Sequence, residues 1–369
     1  MNSPENTNSS WLPPYWFGLL SNNLRNFFKR FSRKFTLPHF AMIEIATHFW
    51  ISKALGVITE LDLADLMLGK ELAIEELAKL TQCQTEPLYR LMRALASEGI
   101  FEEKPGRVFA HTPLSLTLCE GENSAKHFIR YTCSPNNWDQ YNQMMQCLKT
   151  GKSAANILYG MEGFEYLKEN EANNDRFNKA MTDISKIAIA IIVRSYNFSP
   201  YRKIVDIGGG QGRLLSAIID KFKEPQGILF DQPHVIDAEH SFEHLHERKY
   251  RIQIESGSFF EAVPVGADLY IMKNILHDWS DEDSAIILKN IRRAMNPSGK
   301  IILIEYIFES DNKPSFGKVL DIQMLIATSG GIERTREQYA QLLDDNGFKL
   351  NKVVRTLAPF SIIEAVRLD

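Results

Sequence analysis

The stretch Lys203-Ile204-Val205-Asp206-Ile207-Gly208-Gly209-Gly210-Gln211-Gly212 decides the fold. It opens as a short apolar strand, ends that strand on an acid, and breaks at clustered glycines. Leu214, Leu215, Ile218, Ile219 and Phe222 then follow at helical spacing. Glycine takes positive φ without a Cβ penalty and lets a ligand approach the backbone. The helix behind it offers unpaired N–H groups and the positive end of its dipole. Strand, glycine turn and helix in that order mark a nucleotide-type site on a doubly wound sheet.

Outward from this unit, strands and helices alternate from about residue 200, as a parallel sheet with covered faces requires. Strands are expected at 203–207, 226–230, 251–256, 268–272, 300–305, 348–354 and 360–366. The last two enclose only Leu357-Ala358-Pro359, so they pair antiparallel at the sheet edge. The fold class is α/β: a Rossmann-like sheet carrying an antiparallel terminal hairpin.

The glycine pattern also selects the ligand. A dinucleotide site wants a third glycine where this chain has Arg213 and Leu214. A second strand ends at Asp231, whose carboxylate can accept from both hydroxyls of a ribose. An adenosine without a pyrophosphate fits better than NAD, which points to S-adenosylmethionine.

Bulk properties set limits. The 369 residues allow two domains; 44% apolar and 24% charged residues suit a soluble globular protein, and a net charge of −4 draws no nucleic acid. Cys83, Cys119, Cys133 and Cys147 lack metal spacing and read as reduced thiols of a cytoplasmic protein. His240, His244 and His246 cluster without a further ligand group and read as a solvated helix face, so no metal is expected. No apolar run reaches the length of a membrane span.

Four segments follow. Residues 1–40 form a basic and aromatic arm, in which Trp11, Trp16, Phe17, Phe27, Phe28, Phe31 and Phe35 interleave with Arg25, Lys29, Arg30, Arg33 and Lys34. Such an arm can pack on a partner subunit or, more weakly, rest on anionic lipid through residues 11–40. Residues 41–110 have winged-helix grammar. Phe49, Ile51, Ala54, Leu55 and Val57 are assigned to one helix face, Leu72 to Leu80 to a second helix, and Thr85 to the cap of a third. Leu88, Leu91, Met92 and Leu95 point inward there, Gly99 stops the helix, and a wing turns at Lys104-Pro105-Gly106. The third helix sets Arg90 and Arg93 against Glu86 and Glu98, which suits a protein partner better than DNA. Residues 111–199 form a helical connection rich in methionine and aromatics, a subset of which can line an aromatic pocket. Residues 200–369 hold the sheet.

The chemistry is expected after the strand at 268–272. His277 lies in the loop at its carboxyl end, before a helix started by Ser280 and Asp283 and buried through Ile286, Ile287, Ile291 and Ala294. Open α/β sheets bind ligands at that edge, so His277 is a candidate general base. Glu305 and Glu333 are candidate acceptors for its second ring nitrogen. A phenol loses its proton near pH 10 and imidazole near 6.5, so full transfer is uphill by about 5 kcal/mol. Deprotonation concerted with attack on a methyl group avoids much of that cost.

Taken together the segments resemble the O-methyltransferases of the caffeic acid and hydroxyindole type, bacterial small-molecule members included. The resemblance runs from about residue 40 to the end and rests on VDIGGGQG, FDQPHVI, LHDWSDED, GKIILIE and GGIERT in that order. It implies S-adenosylmethionine contacts at Asp206, Gly208, Gly210, Asp231, Ser258, Phe259, Lys273 and Ser185, with Asp231 on the ribose and Lys273 near the adenine. It implies His277 as base, bracketed by Glu305 and Glu333. Trp138, Met181, Met324 and Asp278 fall on the acceptor side, and the winged-helix region becomes a dimerisation domain. Ser258 stands where the family usually has aspartate, which removes a charge from the adenine side. The implied reaction is methyl transfer to a hydroxyl of a small aromatic, enolic or polyketide-like molecule. The alternatives are a relative that decarboxylates or hydroxylates instead, and a DNA-binding regulator.

Overall fold

The computed structural model describes residues 15–236, 245, 248 and 250–369. His240, His244 and His246 lie outside the described residues, as does Trp11; of the side chains of Trp16 and Phe17 nothing is described. The chain divides into two compact units. One holds residues 25–142 and 164–187; the other holds 143–163, 188–369 and the described residues up to Leu24.

The first unit is helical with a small sheet. Strands β1 (Leu72–Ala73), β2 (Phe101–Lys104) and β3 (Val108–His111) lie in the order β1-β3-β2, all antiparallel, and β2–β3 is the expected wing. The helix Thr85–Ser97 buries Leu88, Met92 and Leu95, with Leu91 half-buried, and Gly99 at φ +72 follows its end. Three details differ from expectation. Leu72 opens strand β1, and the second helix begins at Ile74, because the wing strand pairs there. Thr85 is the first helical residue, and no side chain caps that helix. In the helix Phe49–Glu60 the buried residues are Gly56, Ile58 and Thr59, while Phe49 and Val57 are exposed.

The helices Pro38–Thr47 and Phe49–Glu60 also correct the membrane expectation. By length and composition, residues 38–60 are long and apolar enough to cross a bilayer. His39, Glu44, His48 and Lys53 interrupt the apolar run and so hid it, without lowering the average hydropathy enough to matter. Met42, Ile43, Ile45 and Trp50 are exposed on this stretch. Ahead of it, the helix Tyr15–Phe35 exposes Phe27, Phe28, Phe31 and Phe35.

The second unit is the α/β part. Its strands are β4 (Lys203–Ile207), β5 (Gln226–Asp231), β6 (Ile252–Ser256), β7 (Leu269–Lys273), β8 (Lys300–Phe308), β9 (Arg334–Thr335), β10 (Phe348–Arg355) and β11 (Phe360–Arg367). Among the described residues the order is β10-β11-β8-β7-β4-β5-β6, with β9 beside the end of β8. The pairs from β6 to β8 are parallel, and β11 joins β8 and β10 antiparallel, as the short turn before Phe360 demands. Strand β9, parallel to β8 at Ile307 and Phe308, was too short to read from sequence.

Side chains alternate across the sheet. Val205, Ile207, Tyr270, Met272, Ile301 and Leu303 pack on one face with Ile287, Leu288 and Ile291 of the helix Asp281–Ala294. Ile204, Leu229, Leu269, Ile271, Ile302 and Ile304 pack on the other with Leu214, Leu215, Ile218 and Ile219 of the helix Arg213–Lys221. Ile286, expected inward, is exposed, and Leu288 takes its place. Because β4 to β8 run parallel, the turns after all five open on one edge of the sheet.

Candidate active site

At the end of β4 the backbone needs glycine. Gly208, Gly210 and Gly212 have φ of +64, +57 and +71. The Gly208 N–H donates to the Phe230 carbonyl at 2.8 Å, tying the turn to β5. A Cβ on Gly209 would meet Leu229 at 2.4 Å and the Asp206 carboxylate at 2.8 Å, so the turn closes there. A Cβ on Gly210 would meet nothing within 4 Å, so at that point the turn faces open space.

Two acids hold this edge. Asp231 Oδ2 accepts from the Gly210 N–H at 2.8 Å and Oδ1 from the Gln232 N–H at 2.7 Å. Burial pushes its pKa up and those two donors pull against the rise. Each oxygen keeps a second lone pair for a ligand hydroxyl. Asp206 is 2% exposed, and its Oδ2 has no hydrogen-bond partner. Burial lifts it to about 7, opposed by the Lys273 charge at the end of β7. Burial lowers Lys273, against the pull of Asp206 and Glu305. After β6 the Ser258 hydroxyl accepts from the Phe260 N–H at 3.3 Å. Phe259 is packed edge-on against Trp279 at 6.0 Å. An orphaned buried acceptor, a glycine facing open space and a half-satisfied carboxylate fit a ligand rich in N–H and O–H donors, as S-adenosylmethionine is.

One strand over, His277 sits in a 3-10 turn, Leu276–Asp278, and is 7% exposed. Its Nδ1 lies 2.7 Å from Glu333 Oε1, and Glu333 is wholly buried. Glu333, not Glu305, therefore holds the ring. Glu305 is also wholly buried, well inside β8 rather than facing solvent at its end. Its Oε1 accepts from the Ile275 and Leu276 N–H groups, both at 3.0 Å, so it fixes the backbone that carries the ring. Asp278 Oδ1 is 3.6 Å from His277 Nε2, too far for a hydrogen bond but close for charge.

These charges change the expected chemistry. Burial alone would lower His277, but Asp278, Glu305 and Glu333 more than reverse it, and the ring is raised to about 10. Burial lifts Glu305 to about 7 and Asp278 to about 6. A raised ring is a stronger base, so taking a phenol proton costs less than it does for a free imidazole. The cost reappears earlier. The same anions favour the protonated ring, so freeing Nε2 near neutral pH costs more than for a free imidazole. The barrier thus becomes dependent on pH.

The acceptor-side residues are dispersed. A cleft of about 460 Å³ is lined by Ser280, Asp281, Asp321, Ile322, Leu325 and Ile332 among others, and His277 is not among its lining residues. Met324, on the helix Phe316–Ala327, is buried and is not among the cleft's lining residues. Trp138, Met181 and Ser185 belong to the other unit. There Trp138 packs on Phe49 with centroids 6.1 Å apart and under the Lys53 ammonium at 4.0 Å. Met181 and Ser185 are half-buried on the helix Glu171–Ser195.

Sequence reasoning missed three residues here. Asp321 Oδ1 accepts from the Glu333 N–H at 2.8 Å, Thr328 Oγ1 accepts from the Gly331 N–H at 2.9 Å, and Arg334 is buried against the His277 turn. Only Arg334, inside GGIERT, carried a readable signal: a charged residue in a stretch otherwise destined for burial.

Comparison with known proteins identifies the family. Residues 141–349 match the O-methyltransferase domain model, and residues 43–121 match the O-methyltransferase dimerisation domain model. The phenazine O-methyltransferase of Lysobacter antibioticus is 35% identical over 326 residues, 88% of this chain and 95% of that protein. The mitomycin biosynthesis 6-O-methyltransferase of Streptomyces lavendulae is 31% identical over 86% of this chain and 91% of its own length. The structure of CalO1, a methyltransferase in calicheamicin biosynthesis in its SAH-bound form, superposes with a TM-score of 0.80 at 26% identity, over 89% of this chain and 98% of that one.

Proposed function

The chain belongs to the O-methyltransferases that join a dimerisation domain to an O-methyltransferase domain, and from that premise we propose how its own residues carry the reaction. It is an S-adenosylmethionine-dependent enzyme that methylates a hydroxyl of a small aromatic molecule and works as a homodimer. When bound, S-adenosylmethionine supplies an activated methyl group beside a positive sulfur. Asp231 takes the ribose hydroxyls, and the Gly208 and Gly210 turn gives the backbone clearance. Asp206, Lys273, Ser258 and Phe259 complete the cofactor contacts of this unit. Ser258 offers the adenine amine a neutral acceptor.

His277 is the general base. Glu333 orients the ring through Nδ1, Glu305 holds the turn beneath it, and Nε2, 3.6 Å from Asp278 Oδ1, is left to take the acceptor's proton. The single observation that carries this reading is the 2.7 Å contact between two buried groups, His277 and Glu333, at the ligand-binding edge of the sheet. Met324, buried on the helix Phe316–Ala327, gives the acceptor side of this unit an apolar wall. Residues 41–110 serve dimerisation, and the exposed Ile43 and Trp50 are its contact surface. The described part of the basic arm, residues 15–40, packs on the partner subunit; membrane contact through it is the competing outcome, read by co-sedimentation with anionic vesicles. Four free cysteines suit a cytoplasmic enzyme. No role on nucleic acid is assigned, since Arg107 on the wing is paired with Glu86 of the third helix at 2.6 Å.

A panel of phenols, phenazines and polyketides, incubated with methyl-labelled donor, tests the function. Transfer of label to at least one hydroxyl is expected. Carbon dioxide release or hydroxylation in place of label transfer would contradict it.

A further inference from the structure

Arg334 is the largest side chain buried beyond 2% exposure in the described structure, and none of the roles above uses it. A buried guanidinium is costly unless all its donors are matched. Here they are spent on two segments that the site must hold together. Nη1 donates to the Leu276 carbonyl at 2.9 Å and to the Ile332 carbonyl at 3.2 Å. Nη2 donates to the Trp279 carbonyl at 3.0 Å and to Asp281 Oδ1 at 2.7 Å, and Nε donates to the same oxygen at 2.9 Å.

The geometry of those bonds is specific. Leu276 precedes the ring-bearing residue. Glu305 accepts from its N–H, and Arg334 donates to its carbonyl. The turn is therefore suspended between a buried carboxyl group and a buried guanidinium. Beyond His277, Arg334 takes the Trp279 carbonyl, and the His277 carbonyl accepts from the Ile332 N–H at 2.9 Å. On the other side Arg334 is the chain neighbour of Glu333 and opens strand β9, which pairs with β8 beyond Glu305. The His277 turn, the Glu333 segment and, through the β8–β9 pairing, the strand of Glu305 thus each touch this residue or adjoin it.

We propose that Arg334 is a positioning residue: its guanidinium locks the His277 turn to the Glu333 segment and so holds the base and its carboxylate at 2.7 Å. This rests on the assignment of His277 as base. Lysine is no substitute, because it has three donors at one point where arginine presents a planar fork of five. The role differs from that of Glu333, which touches the ring, and from a general structural role, since the bonds converge on one turn.

Arg334→Lys tests it, because charge is kept and the fork is lost. The variant should fold, as read by circular dichroism, and bind S-adenosylmethionine with unchanged affinity in calorimetry. Its kcat should fall roughly 10- to 100-fold, the penalty of misplacing a reacting group by about 1 Å. The acid limb of its kcat profile should move to lower pH, because a ring released from Glu333 loses the interaction that raises it. A merely structural role would lower thermal stability and leave that limb in place. If Arg334→Lys does not fold, Asp281→Ala carries the test, since it removes the outer anchor from a largely exposed position; the same limb shift with a smaller loss of kcat is expected. A folded Arg334→Lys, or failing that Asp281→Ala, with the wild-type kcat and limb overturns the proposal. His277→Ala separates the two claims. If it is inactive while Arg334→Lys behaves as wild type, only the positioning role fails; if His277→Ala is fully active, the base assignment itself has failed.

Discussion

Glu333→Gln removes one charge from the His277 cluster while leaving an oxygen to accept from Nδ1, so orientation and electrostatics come apart. Two unit charges about 4 Å apart at an effective dielectric of about 20 attract by about 4 kcal/mol. That equals about three pKa units and is an upper bound. Two compensations reduce it. Asp278 and Glu305 still act on the ring. Glu305, lifted to about 7 by burial and then by the Glu333 charge, ionises more readily once that neighbour is neutral. A net fall of about one to two units for His277 remains. The sign follows from the role. A base works unprotonated, so activity is present above its pKa and lost as pH falls through it. Wild-type enzyme should have an acid limb well above 6.5, the ordinary value of imidazole. Glu333→Gln should move that limb down, keep turnover near neutral pH, and lose rate at high pH, where the ring is a weaker base. The assay is kcat against pH, from about pH 6 to about pH 10, with one phenolic acceptor. A limb that stays put, or moves up, would refute the electrostatic reasoning, since no loss of a nearby anion can raise a cation's pKa.

Other outcomes follow from the cofactor edge and the dimer face. Asp231→Ala should weaken S-adenosylmethionine binding by roughly tenfold or more, because two hydroxyl acceptors go at once; an unaltered dissociation constant in calorimetry rules out its ribose role. Trp50→Glu, at an exposed apolar position within the dimerisation segment, should shift the protein toward monomer in light scattering without changing its circular dichroism. A variant that stays dimeric places the interface elsewhere.

Much of the α/β unit was legible because its signals are local and agree. Each parallel strand is a short apolar run, each turn carries glycine or an acid, and the hairpin around Leu357-Ala358-Pro359 leaves no room for a crossover. The edge where the glycine turn opens was readable for the same reason: Asp206 and the glycines lie at and just past the end of β4, and Asp231 ends β5. The site's interior was less so. Which glutamate holds the ring depends on how β8, the His277 turn and the Glu333 segment meet, and those are separated by tens of residues. Glu305 read as a strand end because Tyr306, Ile307 and Phe308 gave no sign that the strand continues into pairing with β9. The raised His277 was hidden because no one acid causes it. Errors in the helical unit were of another kind. Phe49 and Val57 there, like Ile286 in the α/β unit, are apolar yet exposed, and periodicity cannot tell a face buried in its own chain from one that is not.

The most direct measurement is single-turnover methyl transfer by wild type and His277→Ala, with the S-adenosylmethionine dissociation constant of each measured beside it. Donor binding should match within about twofold, while the rate of label transfer to a phenol should drop by about 10²- to 10⁴-fold, the range for a positioned base. A rate within a few-fold of wild type, with donor binding intact, would contradict the account, because no imidazole would then be needed to take the proton.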